Sequence, residues 1–260
     1  MPRTALLPLL LAGAASVGAS LAPGDCAVVG FSVAESDFAV LLLAPLPPNT
    51  QLFVTDCGVR ADGSLRTSAE GIVAFSSADG ARPGAVLSRG NFSKVQRSIK
   101  LKSHDQLIVF VGSPQAPKYV CALQSYQSGG ELAWQRDATD DATSALPPGL
   151  ADGNSGGESA LAIPAVERAA SYDVHGAPYM SRGNQHMLRK LVHVAKHWVY
   201  SAGPLPRSED FVLTMHEPAG PLPFVLCWGL VAFMGWLHHM RYIDLWQRPP
   251  LDEEDEHKRE

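Results

Sequence analysis

Short runs of apolar and β-branched residues recur along the middle of the chain, each about one strand long and bounded by turn formers. They are Cys26–Phe31, Phe38–Leu43, Gln51–Thr55, Gly71–Ser76, Ala85–Leu87, Gln106–Val111, Tyr119–Leu123 and Ala160–Ile163. Between them stand Pro45-Leu-Pro-Pro-Asn49, Ala61-Asp-Gly63, Ala78-Asp-Gly80 and Pro114-Gln-Ala-Pro117. In such breaks proline fixes φ and glycine permits positive φ. The pattern predicts a mainly β domain, a β-sandwich or partly closed barrel, over residues 21–200. One stretch follows a helical period instead. Within Asn184–Tyr200, Leu188, Leu191, Ala195 and Trp198 recur at spacings of three and four. His186, Arg189, Lys190, His193, Lys196 and His197 fall mostly opposite, so a single amphipathic helix is expected at the C-terminal end of the domain.

The two ends of the chain carry a different pattern. Residues 1–20 combine Arg3, an apolar run and a small-residue exit at Val17-Gly-Ala-Ser20, the three parts of a secretory signal peptide. Leu222–Leu237 is apolar, and no Asp, Glu, Lys or Arg lies between Glu217 and Arg241. About twenty such residues make roughly 30 Å of helix, which predicts a transmembrane helix over 221–240. Trp236 suits the interface, and the basic side that follows, with Arg241, favours the cytoplasm. Residues 201–220, rich in Pro and Gly, read as a stalk. Residues 241–260 hold four positive and seven negative side chains and read as a solvated acidic cytoplasmic tail. The expected topology is single-pass type I, with the domain in the secretory lumen or outside the cell.

Charge and cysteine usage narrow the field. The 260 residues carry a net charge of −5, which argues against nucleic-acid binding by phosphate neutralisation. Four cysteines are too few for a disulfide scaffold. With Cys227 in the apolar span, Cys26, Cys57 and Cys121 share the oxidising side. One bridge with one thiol left over is the natural arithmetic, and Cys26–Cys57, closing a loop of about 30 residues, is the expected pair. Three buried free thiols are the other reading. Asn91-Phe-Ser93 is an N-glycosylation acceptor in a polar stretch between strands.

Candidate chemistry is sparse. Asp56, Asp62 and Glu70 gather with Arg66 around the turn after the third predicted strand. Clustered oxygens are what Ca²⁺ takes, but the EF-hand order is absent, and a local pair of Arg66 with Glu70 or Asp56 is the ordinary explanation. No cofactor is therefore expected. His193 and His197 have one-turn spacing, yet no Glu follows His193 and the neighbouring Arg189, Lys190 and Lys196 oppose a divalent ion. Asp137, Asp140 and Asp141 read as a solvated loop. Gly149–Gly157 lacks the Gly-Lys-Ser/Thr ending of a phosphate loop, and no Gly-x-Ser-x-Gly elbow occurs. No catalytic residue and no metal ligand is assigned.

An ordered series of short matches spans residues 23 to about 200. Gly24-Asp-Cys-Ala-Val-Val-Gly-Phe31, Asp37-Phe-Ala-Val40, Phe53-Val-Thr-Asp-Cys-Gly58, Arg66-Thr67 with Glu70-Gly71, Asp105-Gln-Leu-Ile108, Ala145-Leu-Pro-Pro-Gly-Leu150 and His197-Trp198 follow one another. The series resembles a β-sandwich accessory module of secreted and surface-attached bacterial proteins, which begins Gly-Asp-Ile-Ala-x-x-Gly-Phe and is lamin-tail-like. The resemblance implies the sandwich fold and the secreted side, and no settled activity. Cys57 and Val59 depart from that module's Asn and Trp in its Phe-Thr-Asp-Asn-Gly-Trp turn. The function expected is a non-enzymatic recognition or scaffold domain for a glycan or protein, with Asp56, Arg66 and Glu70 as its ligand-binding residues. A membrane-anchored, metal-assisted hydrolase and a secretory-pathway trafficking or assembly factor are the alternatives.

Overall fold

All eight apolar runs become strands: β1 Cys26–Ser32, β2 Asp37–Leu42, β3 Leu52–Thr55, β4 Ile72–Phe75, β5 Val86–Ser88, β7 Asp105–Ser113, β8 Ala116–Ser125 and β9 Ala160–Ile163. Five more have no such run to mark them: β6 Ser93–Gln96, β10 Ala169–Tyr172, and the two-residue β11 Arg182–Gly183, β12 Trp198–Val199 and β13 Val212–Leu213. The computed structural model describes residues 20–67, 70–126, 132–177, 180–201 and 203–214. The signal peptide, the transmembrane helix and the acidic tail expected from the sequence lie outside the described residues. Among the described residues, no helix is long and apolar enough to cross a membrane.

The strands form a smaller sheet in the order β12-β10-β1-β2-β5 and a larger one in the order β6-β4-β3-β7-β8-β9. A two-stranded ribbon, β11-β13, stands apart. Pairing is antiparallel except at β8–β9 and β11–β13. The two main sheets share one core, in which Phe31, Phe38, Leu41 and Leu42 of the smaller meet Leu52, Val54, Leu107, Val109 and Leu123 of the larger. This is a β-sandwich, with one feature that shaped the sequence pattern. Strands β1, β2, β3 and β7 are buried almost throughout, on both faces. They therefore read as continuous apolar runs rather than strict alternation.

The second face of the larger sheet carries a separate cluster, Phe53, Ile72, Ile108, Phe110 and Tyr119, covered by Cys57, Val59, Leu65 and Leu150 from flanking loops. On the smaller sheet, a side chain added at Gly30 would meet both Ala39 and Leu205 at 3.1 Å, so Leu205 lies directly on β1 and β2. Ser208 accepts the Val86 amide at 2.8 Å. Phe211 is buried and stacks on Tyr172, with ring centroids 6.4 Å apart. Residues 203–214 thus belong to the domain and are not the stalk expected from their Pro and Gly content. Proline suits a strap that needs no ladder hydrogen bonds.

The helix is half its expected length. Helix α1 spans Gln185–Val192, capped by Asn184, whose side chain accepts the Met187 amide at 2.9 Å. Beyond it Val194 is extended, and Trp198 pairs with Tyr172 as part of a strand. Leu188 and Trp198 do reach the core, but through two different elements. The Cys26–Cys57 bridge is not formed either. Among the described residues, Cys26, Cys57 and Cys121 are buried free thiols. Cys26 lies in the sandwich core and Cys57 in the cluster on the far face of the larger sheet, so a sheet separates them.

Phe211→Ala tests the strap. Removing a buried ring costs about 3 kcal/mol of unfolding free energy, measured by chemical denaturation. A change within about 0.5 kcal/mol would mean that the segment is a surface stalk.

Candidate functional site

Strands β3 and β4 end at the Thr55–Ile72 pair, and beside them β7 and β8 run on past Ile108, the partner of Thr55, to the Asp105–Ser125 pair. The chain leaves β3 through Asp56 and enters β4 through Glu70 and Gly71, so the hairpin ends bring both carboxylates to this edge. Asp56 is buried and accepts the Gly71 amide at 2.5 Å and the Lys100 amide at 2.9 Å. Gly71 is required there: a side chain would meet the Ile99 nitrogen at 2.5 Å. Thr55 donates its hydroxyl to the Gly71 carbonyl at 2.6 Å and accepts the Cys57 amide at 3.0 Å. Gln106, fully buried, donates to the Asp56 carbonyl.

The expected trio of Asp56, Arg66 and Glu70 does assemble, but it is part of a larger group. Arg66 donates to Asp141 at 2.7 Å and approaches Glu70 only to 4.0 Å. Lys102 reaches the other Asp141 oxygen at 3.1 Å. Asp105 accepts the Lys102 and Gln106 amides, both at 2.9 Å. Asp105 and Gln106, which open β7 about 35 residues beyond Glu70, and Lys102 just before that strand are site residues missed in the sequence. Two polar residues at the head of an apolar run were the available signal. Asp141, read as solvated, is half-buried and central.

Electrostatics divides these acids. Arg66 and then Lys102 hold Asp141 below the usual carboxylate range by hydrogen bonding. Burial pushes Glu70 up to about 8, helped by the charges of Asp56 and Asp141, while Arg66 and the Gly58 amide pull the other way. Neither Glu70 oxygen has a hydrogen-bond partner of ordinary geometry. Asp105 is also pushed up to about 8, again by burial first, against its amide bonds to Gln106 and Lys102. Burial raises Asp56 as well, opposed by the Lys100 and Gly71 amides.

Other predicted residues lie elsewhere. Asp62 is exposed and closes its own turn with Ser64. Asp137 accepts the Ala61 amide at 2.9 Å, and Asp140 the Ala142 amide. His193 is buried and donates Nδ1–H to the Arg189 carbonyl at 2.8 Å; burial lowers it to about 4, so the ring is neutral. His197 donates likewise to the Leu191 carbonyl at 3.0 Å. The two no longer share one helix face, because α1 ends before them. Among the described residues, no group of His, Cys, Asp and Glu is arranged to hold a metal ion. Asn91 is exposed between β5 and β6, the edge strands of the two sheets. Its Oδ1 accepts from the Ser88 amide at 2.9 Å. A cavity of about 610 Å³ opens elsewhere, between Glu35, Asp37, Arg168 and the strap residues Leu205 and Arg207. Comparison with protein-family models, curated proteins and solved structures finds no match to the chain.

The raised acids make a signed prediction. A group protonated more readily in the folded state stabilises it most below its unfolded pKa, about 4 for Glu and Asp. That contribution is lost as pH rises through about 8. Thermal melts should therefore show stability falling between pH 5 and 8. Glu70→Gln, which mimics the neutral acid, should flatten the slope. An equal slope in both proteins would show that Glu70 ionises normally.

Proposed function

We propose that the chain is a single-pass type I membrane protein whose β-sandwich ectodomain is a recognition or scaffold module. Its binding face is the loop end around Asp56, Arg66, Glu70 and Asp141. The observation that carries this reading is the combination of a buried polar floor with a charged rim. Asp56, Asp105 and Gln106 fasten the loops from beneath. Arg66, Lys102 and Asp141 form a paired, partly exposed layer above them. Loops held in one conformation lose less entropy on binding, and loops at the end of a rigid scaffold are where such folds carry function. The ligand that suits this rim is polar, a protein or a glycan.

The signal-like start, the apolar segment near the C-terminus and the accessory-module resemblance support the secretory placement. So does the setting of Asn91. Strand β6 is an edge with Val95 53% exposed, and an open edge invites pairing with another chain. A glycan at the β5–β6 connection would shield both sheet edges on that side. A hydrolytic reading lacks such support, because His193 and His197 bind backbone carbonyls and not the carboxylates.

Expression of the full chain with a C-terminal epitope in eukaryotic cells tests the placement. The protein should resist alkaline extraction from membranes, and protease added to sealed microsomes should remove the epitope alone. Endoglycosidase should shift its mobility by one glycan, and Asn91→Gln should abolish the shift. Release by alkali, or an epitope protected from protease, would overturn the topology. For the binding face, proximity labelling should lose its main partners in an Arg66→Ala/Asp141→Ala variant that keeps the wild-type circular dichroism. An unchanged partner set would place recognition elsewhere.

A further inference from the structure

We infer that Cys26 and Cys121, free thiols in this structure, are the pair that oxidation joins into a disulfide tying the two sheets of the sandwich together. Cys26 opens β1 in the smaller sheet, and Cys121 lies in β8 of the larger. The two strands face each other across the core, and the Gly24 amide donates to the Val120 carbonyl at 2.7 Å, one residue before Cys121. Both side chains are fully buried in the same cluster.

A bulge sets the pairing. The β7–β8 register shifts between Val109 and Phe110, whose partners are Cys121 and Tyr119, so Val120 is the extra residue. Tyr119 points to the far face of the larger sheet, whereas Val120 and Cys121 both point into the sandwich core. Simple alternation would have placed Cys121 beside Tyr119, on the face that holds Cys57. The bulge turns it toward Cys26 instead. The thiol of Cys26 is raised well above its usual range, first by burial and then by hydrogen bonding and charge from Cys121. The third thiol, Cys57, is pushed up to about 12 by burial and is left over.

Because both folded thiols are fully buried and out of reach of a disulfide donor, oxidation belongs to the folding chain, before the sheets close. The oxidant is a disulfide donor, either a carrier protein or oxidised glutathione. Attack by one thiolate releases the donor's first thiol and forms a mixed disulfide. The second thiolate then displaces the other donor thiol, so two protons and two electrons pass to the donor as one S–S bond forms. The bond would close about 95 residues, a long loop whose constraint falls mainly on the unfolded chain.

The inference about the pair rests on the geometry, while bond formation in the cell rests on the secretory reading, so the experiment has two arms. The full chain is purified in detergent from a eukaryotic secretory host, alkylated without reduction and peptide-mapped. The same chain made reduced is refolded from denaturant in a glutathione buffer and mapped in the same way. A Cys26–Cys121 peptide is expected in both arms, two hydrogens lighter than the sum of its thiol halves. Cys57→Ser should keep it, and reductant should lower the melting temperature of that variant by several degrees. Linkage after refolding but not in the secretory host upholds the pair and overturns the lumenal placement. Cys26 and Cys121 alkylated separately in both arms, or Cys57 in the bridge, would overturn the pairing.

Discussion

Phe53, Ile108, Phe110 and Tyr119 stand on the face of the larger sheet turned away from the sandwich core, and most of the loop structure exists to keep that face dry. Burying one such side chain is worth about 2 kcal/mol, so four amount to roughly 8, comparable with the whole net stability of a domain. Covering that face is therefore a condition of folding. The β11-β13 ribbon contributes no residue to that cluster, so irregular loops do the covering with Val59, Leu65 and Leu150. Irregular backbone pressed on an apolar surface must then find partners for its own amides and carbonyls. Ser144 accepts the Val59 amide at 2.9 Å, the Ala145 amide donates to the Val59 carbonyl at 2.8 Å, and Tyr119 donates to the Gly63 carbonyl at 2.7 Å.

The acidic cluster follows from the same requirement. Asp56 receives two amides from segments that cross the sheet end, and Asp105 two from its own turn. A carboxylate with two acceptor oxygens is an efficient way to fasten converging loops, and burial raises its proton affinity as a side effect. Gly58 and Gly71 belong to the same arrangement. A side chain at Gly58 would collide with the Thr143 carbonyl and with Ala138, and one at Gly71 with the Ser98–Ile99 backbone. Glu70 is the exception, buried without fastening anything, and its neutral form is the one burial favours.

Which parts of this were legible in the sequence depends on distance along the chain. The eight apolar runs identified their strands because double-sided burial makes a strand a continuous hydrophobic run. Strand β6, Ser-Lys-Val-Gln, is an exposed edge and has no apolar signature; β10 is short and small. The helix was overextended because Leu188, Leu191, Ala195 and Trp198 keep helical spacing although the chain leaves α1 at Val192, and tertiary pairing of Trp198 with Tyr172 overrides the period. Asp56, Arg66 and Glu70 were found because one hairpin spans them. Asp141 and Asp105 come from segments far along the chain, and no local pattern links them to that hairpin. The cysteines show the same limit: Cys57 is nearer to Cys26 in sequence, but a single bulged residue decides which thiol faces it.

Glu70 also explains why the rim is paired as it is. Arg66 sits between two acids, 4.0 Å from Glu70 and 2.7 Å from Asp141. Were Glu70 ionised, the guanidinium would divide its attraction between a buried anion and a half-exposed one. Burial favours the neutral form of Glu70, and that form relieves the competition for Arg66 at the buried end. The closer contact of Arg66 is its bond to Asp141, and Lys102 completes the pair from the other side. An exposed ion pair contributes little to stability by itself, about 0–1 kcal/mol. Its value here is positional, because Arg66 leads from the hairpin that covers the sheet to the loop that carries Asp141. The buried acid is thus the one whose neutral form leaves the charges of Arg66, Lys102 and Asp141 in a defined arrangement, as the proposed recognition face requires.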